Sequence, residues 1–195
     1  MRHFGKGRYV WTSGFETGGA MKDGVLRRVL MTETRDLHDR LDQAIGVFAD
    51  SGAYGDFLSG SYRFRAAIEP RLAGDGWQVQ RLAPLIAQDL ADLGHPRPAL
   101  PDAPALLGPA AQAAACYVLE GSALGARLLA RRAADHGFTA DHGARHLAAQ
   151  TASPHRWRRF LDWLEDADIP VAQAAAAARD VFGLALRAYG VKAPA

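Results

Sequence analysis

Two short segments of this chain hold residue types whose spacing could do chemistry. In Thr34-Arg35-Asp36-Leu37-His38-Asp39-Arg40-Leu41-Asp42, an imidazole is followed four residues later by a carboxylate. On a helix that spacing puts both on one face. A carboxylate that accepts one ring N–H leaves the other nitrogen unprotonated and able to ligate a metal. The bland alternative is a histidine at the edge of an apolar stripe that donates to a carbonyl. The second segment, Tyr117-Val118-Leu119-Glu120-Gly121-Ser122-Ala123-Leu124-Gly125-Ala126-Arg127, carries two glycines one turn apart in what otherwise reads as helix. Each mid-helix glycine costs about 1 kcal/mol relative to alanine. Either small residues (Gly121, Ser122, Gly125, Ala126) let another helix pack closely, or something flat lies against a bare, bendable backbone.

The elements that must position these residues are helices. In Val25–Phe48, Leu26, Leu30, Leu37, Leu41, Ile45 and Phe48 recur at three- and four-residue steps. Asp23 is its expected N-cap, and Asp50-Ser51-Gly52 its stop. A second helix is expected over Tyr54–Leu72. A third is expected over Trp77–Leu93, where Pro84 means either a kink or a later start. Five prolines make His95–Pro109 a loop. A long helix over Ala110–His136 follows, closed by Gly137. Phe138–Ala152 is ambiguous. Ser153 and Pro154 read as N-cap and first residue of a helix over His155–Asp166. A last helix runs from Pro170 to Tyr189, capped by Gly190. No strand alternation survives inspection, and the alanines of 172–178 read as helix-forming filler. The fold class is therefore all-α, with residues 25–190 as a single domain. Residues 1–24, with six glycines and no helical period, read as a flexible N-terminal extension. A histidine ligand on one helix and an uncovered backbone on another would suit a planar iron macrocycle held between them.

The segment around His38 resembles the proximal-helix motif of the heme oxygenases. Tyr117–Arg127, with Leu128-Leu129 after it, is similar to the distal helix of the bacterial members, including those found alongside bacteriophytochromes. The resemblance implies a single-domain helical bundle with heme b held between a proximal and a distal helix. It implies oxidative cleavage of heme to biliverdin, CO and ferrous iron, with O2 as co-substrate. Electrons would come from an external donor, a ferredoxin or a flavoprotein reductase, and a bacteriophytochrome is a conceivable acceptor of the biliverdin. His38 would be the iron ligand, Asp42 its acidic partner, and Gly121 and Gly125 the distal glycines. Ser122 falls where some members carry an aspartate, and Phe182 resembles an aromatic that contacts the macrocycle. Two departures bear on heme placement. Ala126 replaces a glycine, which would crowd the distal side by a methyl group. Met31 stands where a propionate-pairing lysine is usual, leaving Arg27, or the basic run His155-Arg156-Trp157-Arg158-Arg159 with Arg159, as candidate clamps. The alternative function is a heme-binding or heme-sensing protein of the same fold.

Composition excludes other classes. Lys plus Arg is 23 against 21 for Asp plus Glu, a net charge of +2, which gives no electrostatic case for nucleic-acid binding. The single cysteine, Cys116, excludes an intrachain disulfide and a multi-cysteine metal site, and reads as packing. No apolar run approaches about 20 residues, so no membrane span is expected, and the expected compartment is the cytoplasm. His136, His142 and His146 read as surface histidines.

Overall fold

The computed structural model describes residues 24–72 and 76–191. The expectations placed on Asp23 and on residues 1–23 lie outside these. The elements are α1 (Val25–Ile45), α2 (Ser51–Ile68) with a short 3-10 turn Glu69–Arg71, α3 (Ala83–Asp92), α4 (Gly108–Gly121), α5 (Ala123–Asp135), α6 (Arg145–Thr151), α7 (Arg156–Asp166) and α8 (Val171–Ala188). The fold is all-α, and the β contacts among the described residues are isolated bridges joining Thr139 to His142 and Gly143.

Where boundaries differ from the sequence pattern, a specific backbone feature sets them. α1 ends at Ile45 because Gly46 adopts a positive φ of 58° and closes its N–H on the Asp42 carbonyl. Asp50 does not merely end α1. Its carboxylate accepts the Ala53 N–H at 2.8 Å and starts α2 at Ser51. The Pro84 ambiguity resolves to a later start, with the proline in the first turn of α3 and Trp77–Leu82 outside it. α3 has no side-chain cap of its own. The carboxylate of buried Glu69 instead accepts the N–H groups of Leu82 (2.9 Å) and Ala83 (3.2 Å). The ambiguous stretch holds a turn at 139–143 and then α6. Ser153 does not cap α7 through its side chain; its carbonyl takes the Arg156 N–H. The single long helix expected over Ala110–His136 is two helices, broken at Ser122.

α8 is the centre of the packing. α1 and α4 both lie along it, and Ala174, Ala178 and Ala185 are fully buried there. The alanine run is thus a contact surface: small side chains let neighbouring helices approach closely. A second apolar cluster, with Tyr54, Phe57, Leu58, Leu90 and Leu147, joins α2, α3, α5 and α6. Gly60 of α2 abuts the Tyr189 ring so closely that a Cβ there would lie 2.4 Å from it. By length and composition 108–135 could cross a bilayer, contrary to the sequence expectation, but Ala113, Ala114, Ala115 and Leu119 are buried in the protein core.

Candidate functional site

His38 lies two-thirds of the way along α1, next to buried Leu37 and one turn beyond buried Thr34. Its Nδ1 faces Asp42 Oδ2 at 3.3 Å, with both side chains about a third exposed (29% and 34%). Phe182 of α8, itself buried, meets the imidazole edge-on at 6.0 Å between centroids. The ring is therefore fixed on two sides, by a carboxylate and by an aromatic.

The break between α4 and α5 is built rather than accidental. At Ser122 the regular pairing of the Leu119 carbonyl with the Ala123 N–H is lost, and both groups find other partners. The Leu119 carbonyl accepts from Ser122 Oγ (2.7 Å) and from Nη2 of Arg65 (3.1 Å). Turned so that its amide oxygen faces donors, Gln150 accepts the Ala123 N–H at 3.2 Å. Arg65, on α2, is buried, and burial pulls its pKa below the ordinary arginine value against the attraction of Glu69 and Glu120.

Gly121 and Gly125 flank this break, and neither is among the glycines with positive φ. A Cβ at Gly125 would meet nothing within 4 Å, and one at Gly121 would make only ordinary contact with Trp157 at 3.8 Å. Neither glycine is thus demanded by backbone conformation or by packing within the protein. What they leave is uncovered helical backbone beside open space.

Two ties show how this backbone stands to His38. At the end of α1, the Gly46 carbonyl accepts from Arg132 of α5 at 2.8 Å, and the Phe48 carbonyl lies 2.8 Å from His136 Nε2. α1 and α5 therefore run alongside in the same direction, while α1 and α4 pack along α8 and α5 packs on α6. Counted back from the Gly46–Arg132 bond at equal rise along α1 and α5, His38 falls at the height of the start of α5, near Gly125.

The other expected residues fall as follows. Arg27 is exposed, with its backbone N–H held by Glu165. Arg159 is exposed and reaches Ser153 Oγ. Arg156, from the same basic run, is committed elsewhere: it clamps buried Glu120 at 2.6 and 2.8 Å and lies over the Trp77 ring. Met31 is exposed. Ala126 is fully buried and packs with the α2–α3–α6 cluster, so its methyl does not crowd the face that Gly125 opens. Cys116 is buried and its thiol is pushed up to about 12 by burial and by Glu120, which suits packing and not reactivity. His142 is exposed and His136 half-buried, but His146 is not a surface residue. It is buried, its Nδ1 2.7 Å from Asp89, with no hydrogen-bond partner at Nε2. Sequence inspection missed Arg65, Glu69, Asp89 and Gln150; only the Arg65–Glu69 spacing of four was visible as a signal. Among the described residues, no group of three or more His, Cys, Asp or Glu could hold a metal ion. A depression of about 470 Å³ on the Arg179–Gly183 side of α8 includes Leu37 but neither His38 nor the distal glycines. It borders the site through Leu37, the neighbour of His38, and Gly183, the neighbour of Phe182.

No protein-family model matches the chain. It is 34% identical over 131 residues to the heme oxygenase of Xanthomonas campestris, covering 63% of this chain and 79% of that one. It is 32% identical over 167 residues to the heme oxygenase PigA of Pseudomonas aeruginosa, covering 76% of this chain and 83% of the relative. The chain belongs to the heme oxygenase family. The fold agrees with that of the heme oxygenase of Neisseria meningitidis, solved with NO and CO bound: the TM-score is 0.70 at 25% identity, over 87% of this chain and 94% of that one. For a heme oxygenase the local chemistry is fitting. A single imidazole braced by a carboxylate is the kind of donor that would hold heme iron, whose other ligands the macrocycle would bring with it.

Proposed function

We propose that residues 25–190 form a biliverdin-producing heme oxygenase domain in which heme lies between α1 and α4–α5. The observation that carries this reading is the pair of helical glycines that the protein itself does not require, level with a histidine braced by Asp42. A flat ligand explains both at once, because backbone without Cβ atoms lets a ring approach to van der Waals distance.

The work of the chain is positioning. Asp42, facing His38 Nδ1, would hold the ring proton there and leave Nε2 to bind the iron. Phe182 keeps the imidazole from rotating about its bond. Gly121 and Gly125 clear the opposite face, and the Ser122 hydroxyl between them closes the helix break on the Leu119 carbonyl. Arg27 and Arg159, both exposed, are the cations we assign to the heme propionates. Bound heme supplies the iron that activates O2 and the ring carbon that is oxidised, while electrons come from a separate donor protein, a ferredoxin or a flavoprotein reductase.

The test is a titration of the protein with hemin, followed spectroscopically in air after adding a reductant. Loss of the Soret band with growth of biliverdin absorption is expected, and His38→Ala should abolish it. A Soret band that persists under these conditions would leave a heme-binding protein without turnover. Failure to bind hemin would refute the reading.

A further inference from the structure

Arg65 lies on α2, outside both heme-facing helices, yet its guanidinium ends at the break in the distal helix. One amino group, Nη1, meets Glu69 Oε1 at 3.3 Å and the Gln80 carbonyl at 3.4 Å. The other, Nη2, meets the Leu119 carbonyl at 3.1 Å and Ser122 Oγ at 2.9 Å. Neutralising a buried guanidinium needs only the carboxylate of Glu69, one turn along the same helix. The reach of Nη2 into the break is additional, and donor counting shows its use. Ser122 has one proton and two acceptors at 2.7 Å, the Leu119 carbonyl and the Gln150 amide oxygen. Three oxygens thus converge on the break, and besides Arg65 the donors there are the one hydroxyl proton and the Ala123 N–H, which points to Gln150. Arg65 is the group that supplies the missing donors. On its other side, Glu69 caps the start of α3, so the break is tied through one ion pair to the frame formed by α2 and α3.

We propose that Arg65 is a positioning residue for heme chemistry: by joining Leu119 and Ser122 to the α2–α3 frame, it fixes where the α4–α5 break lies and hence how the Gly121–Gly125 backbone faces bound heme. This rests on the heme-oxygenase reading above. A lysine at 65 could still pair with Glu69, but its single ammonium could not serve both the carboxylate and the break. Ser122→Ala would remove the hydroxyl from the other side and leave the buried charge pair intact.

The test compares Arg65→Lys and Ser122→Ala with the parent chain in two measurements. In the apoprotein, amide hydrogen exchange is followed over residues 118–125 and, as internal control, over α8. In the heme complex under CO, the C–O stretching frequency reports the surroundings of an iron-bound diatomic. Exchange of the 118–125 amides is expected to rise about tenfold in both variants, as for loss of a charge-assisted hydrogen bond, with α8 unchanged. The C–O stretch is expected to shift in the same direction in both, with the Soret maximum and His38 ligation retained. Unchanged exchange at 118–125 and an unchanged C–O stretch in either folded variant would reduce Arg65 to a charge partner of Glu69 and overturn the proposal. Should Arg65→Lys not fold, Ser122→Ala decides on the same criteria. If the parent chain does not bind heme, it is the functional reading that fails, and the exchange measurement still shows whether Arg65 fixes the break.

Discussion

Replacing Gly125 by alanine separates the ligand explanation of the distal glycines from a structural one, because the two effects have opposite signs. Gly125 is helical, and a Cβ built on it meets no heavy atom within 4 Å outside its own turn. The apoprotein should therefore gain the full propensity difference, about 1 kcal/mol, with no packing penalty to offset it. For a chain of this length that corresponds to a rise in Tm of about 2–4 °C. With heme present the same methyl stands where the ring needs to approach the backbone, so the ligand must tilt or withdraw. Biliverdin formation should fall at least about tenfold, a barrier change of only about 1.4 kcal/mol. The assay is a pair of measurements on one preparation: thermal unfolding of the apoprotein by circular dichroism, and single-turnover loss of the Soret band with reductant in air. A higher Tm with undiminished turnover would show that Gly125 is not kept bare for heme. A lower Tm would refute the claim that the protein has room for the methyl.

Two further outcomes follow from the packing. His146 titrates below an ordinary imidazole because burial strips water from its charged form, against the attraction of Asp89, and an added proton at Nε2 would find no acceptor. Below a pH of about 6.5 the unfolded chain thus binds a proton that the folded chain resists, so the stability from this group is complete above that pH and declines as pH falls. Urea midpoints measured between pH 8 and pH 5 should show this decline in the parent chain, and a smaller one in His146→Gln; equal slopes would refute the assignment. Arg156→Ala should destabilise by about 2–3 kcal/mol, since it strands buried Glu120 without its cation, and should leave hemin affinity near that of the parent. A marked loss of affinity without loss of stability would return Arg156 to the heme site.

The candidate site residues were legible because their signals are local. His38 and Asp42 are four apart on one strongly periodic helix, and two glycines inside an alanine- and leucine-rich helix violate propensity visibly. The boundaries that sequence misplaced were set by partners far along the chain. α3 starts where Glu69 offers its carboxylate, and α4 gives way to α5 where Arg65 donates to the Leu119 carbonyl and Gln150 accepts the Ala123 N–H. His146 looked like a surface residue because nothing nearby in sequence shows that Asp89 lies opposite it. Ala126 was expected beside the ligand because it stands where the resemblance places a glycine, but one residue of helix beyond Gly125 is a turn of about 100°, and that step carries its methyl into the core.

The two carboxylates that cap helices from neighbouring elements also tie those elements to one another. Glu69, just beyond α2, caps α3, and Asp89 of α3 accepts the first N–H groups of α6, those of Arg145 and His146. α6 has seven residues, too few to sustain helix in isolation. α3 and α6 therefore each draw first-turn hydrogen bonds from a carboxylate that lies outside them. α2, α3 and α6 are thus linked in series, through Glu69 and then Asp89, in addition to the apolar cluster they share. Removing the Glu69 carboxylate would free the Leu82 and Ala83 N–H groups at the start of α3, and α6 would feel that loss only through α3.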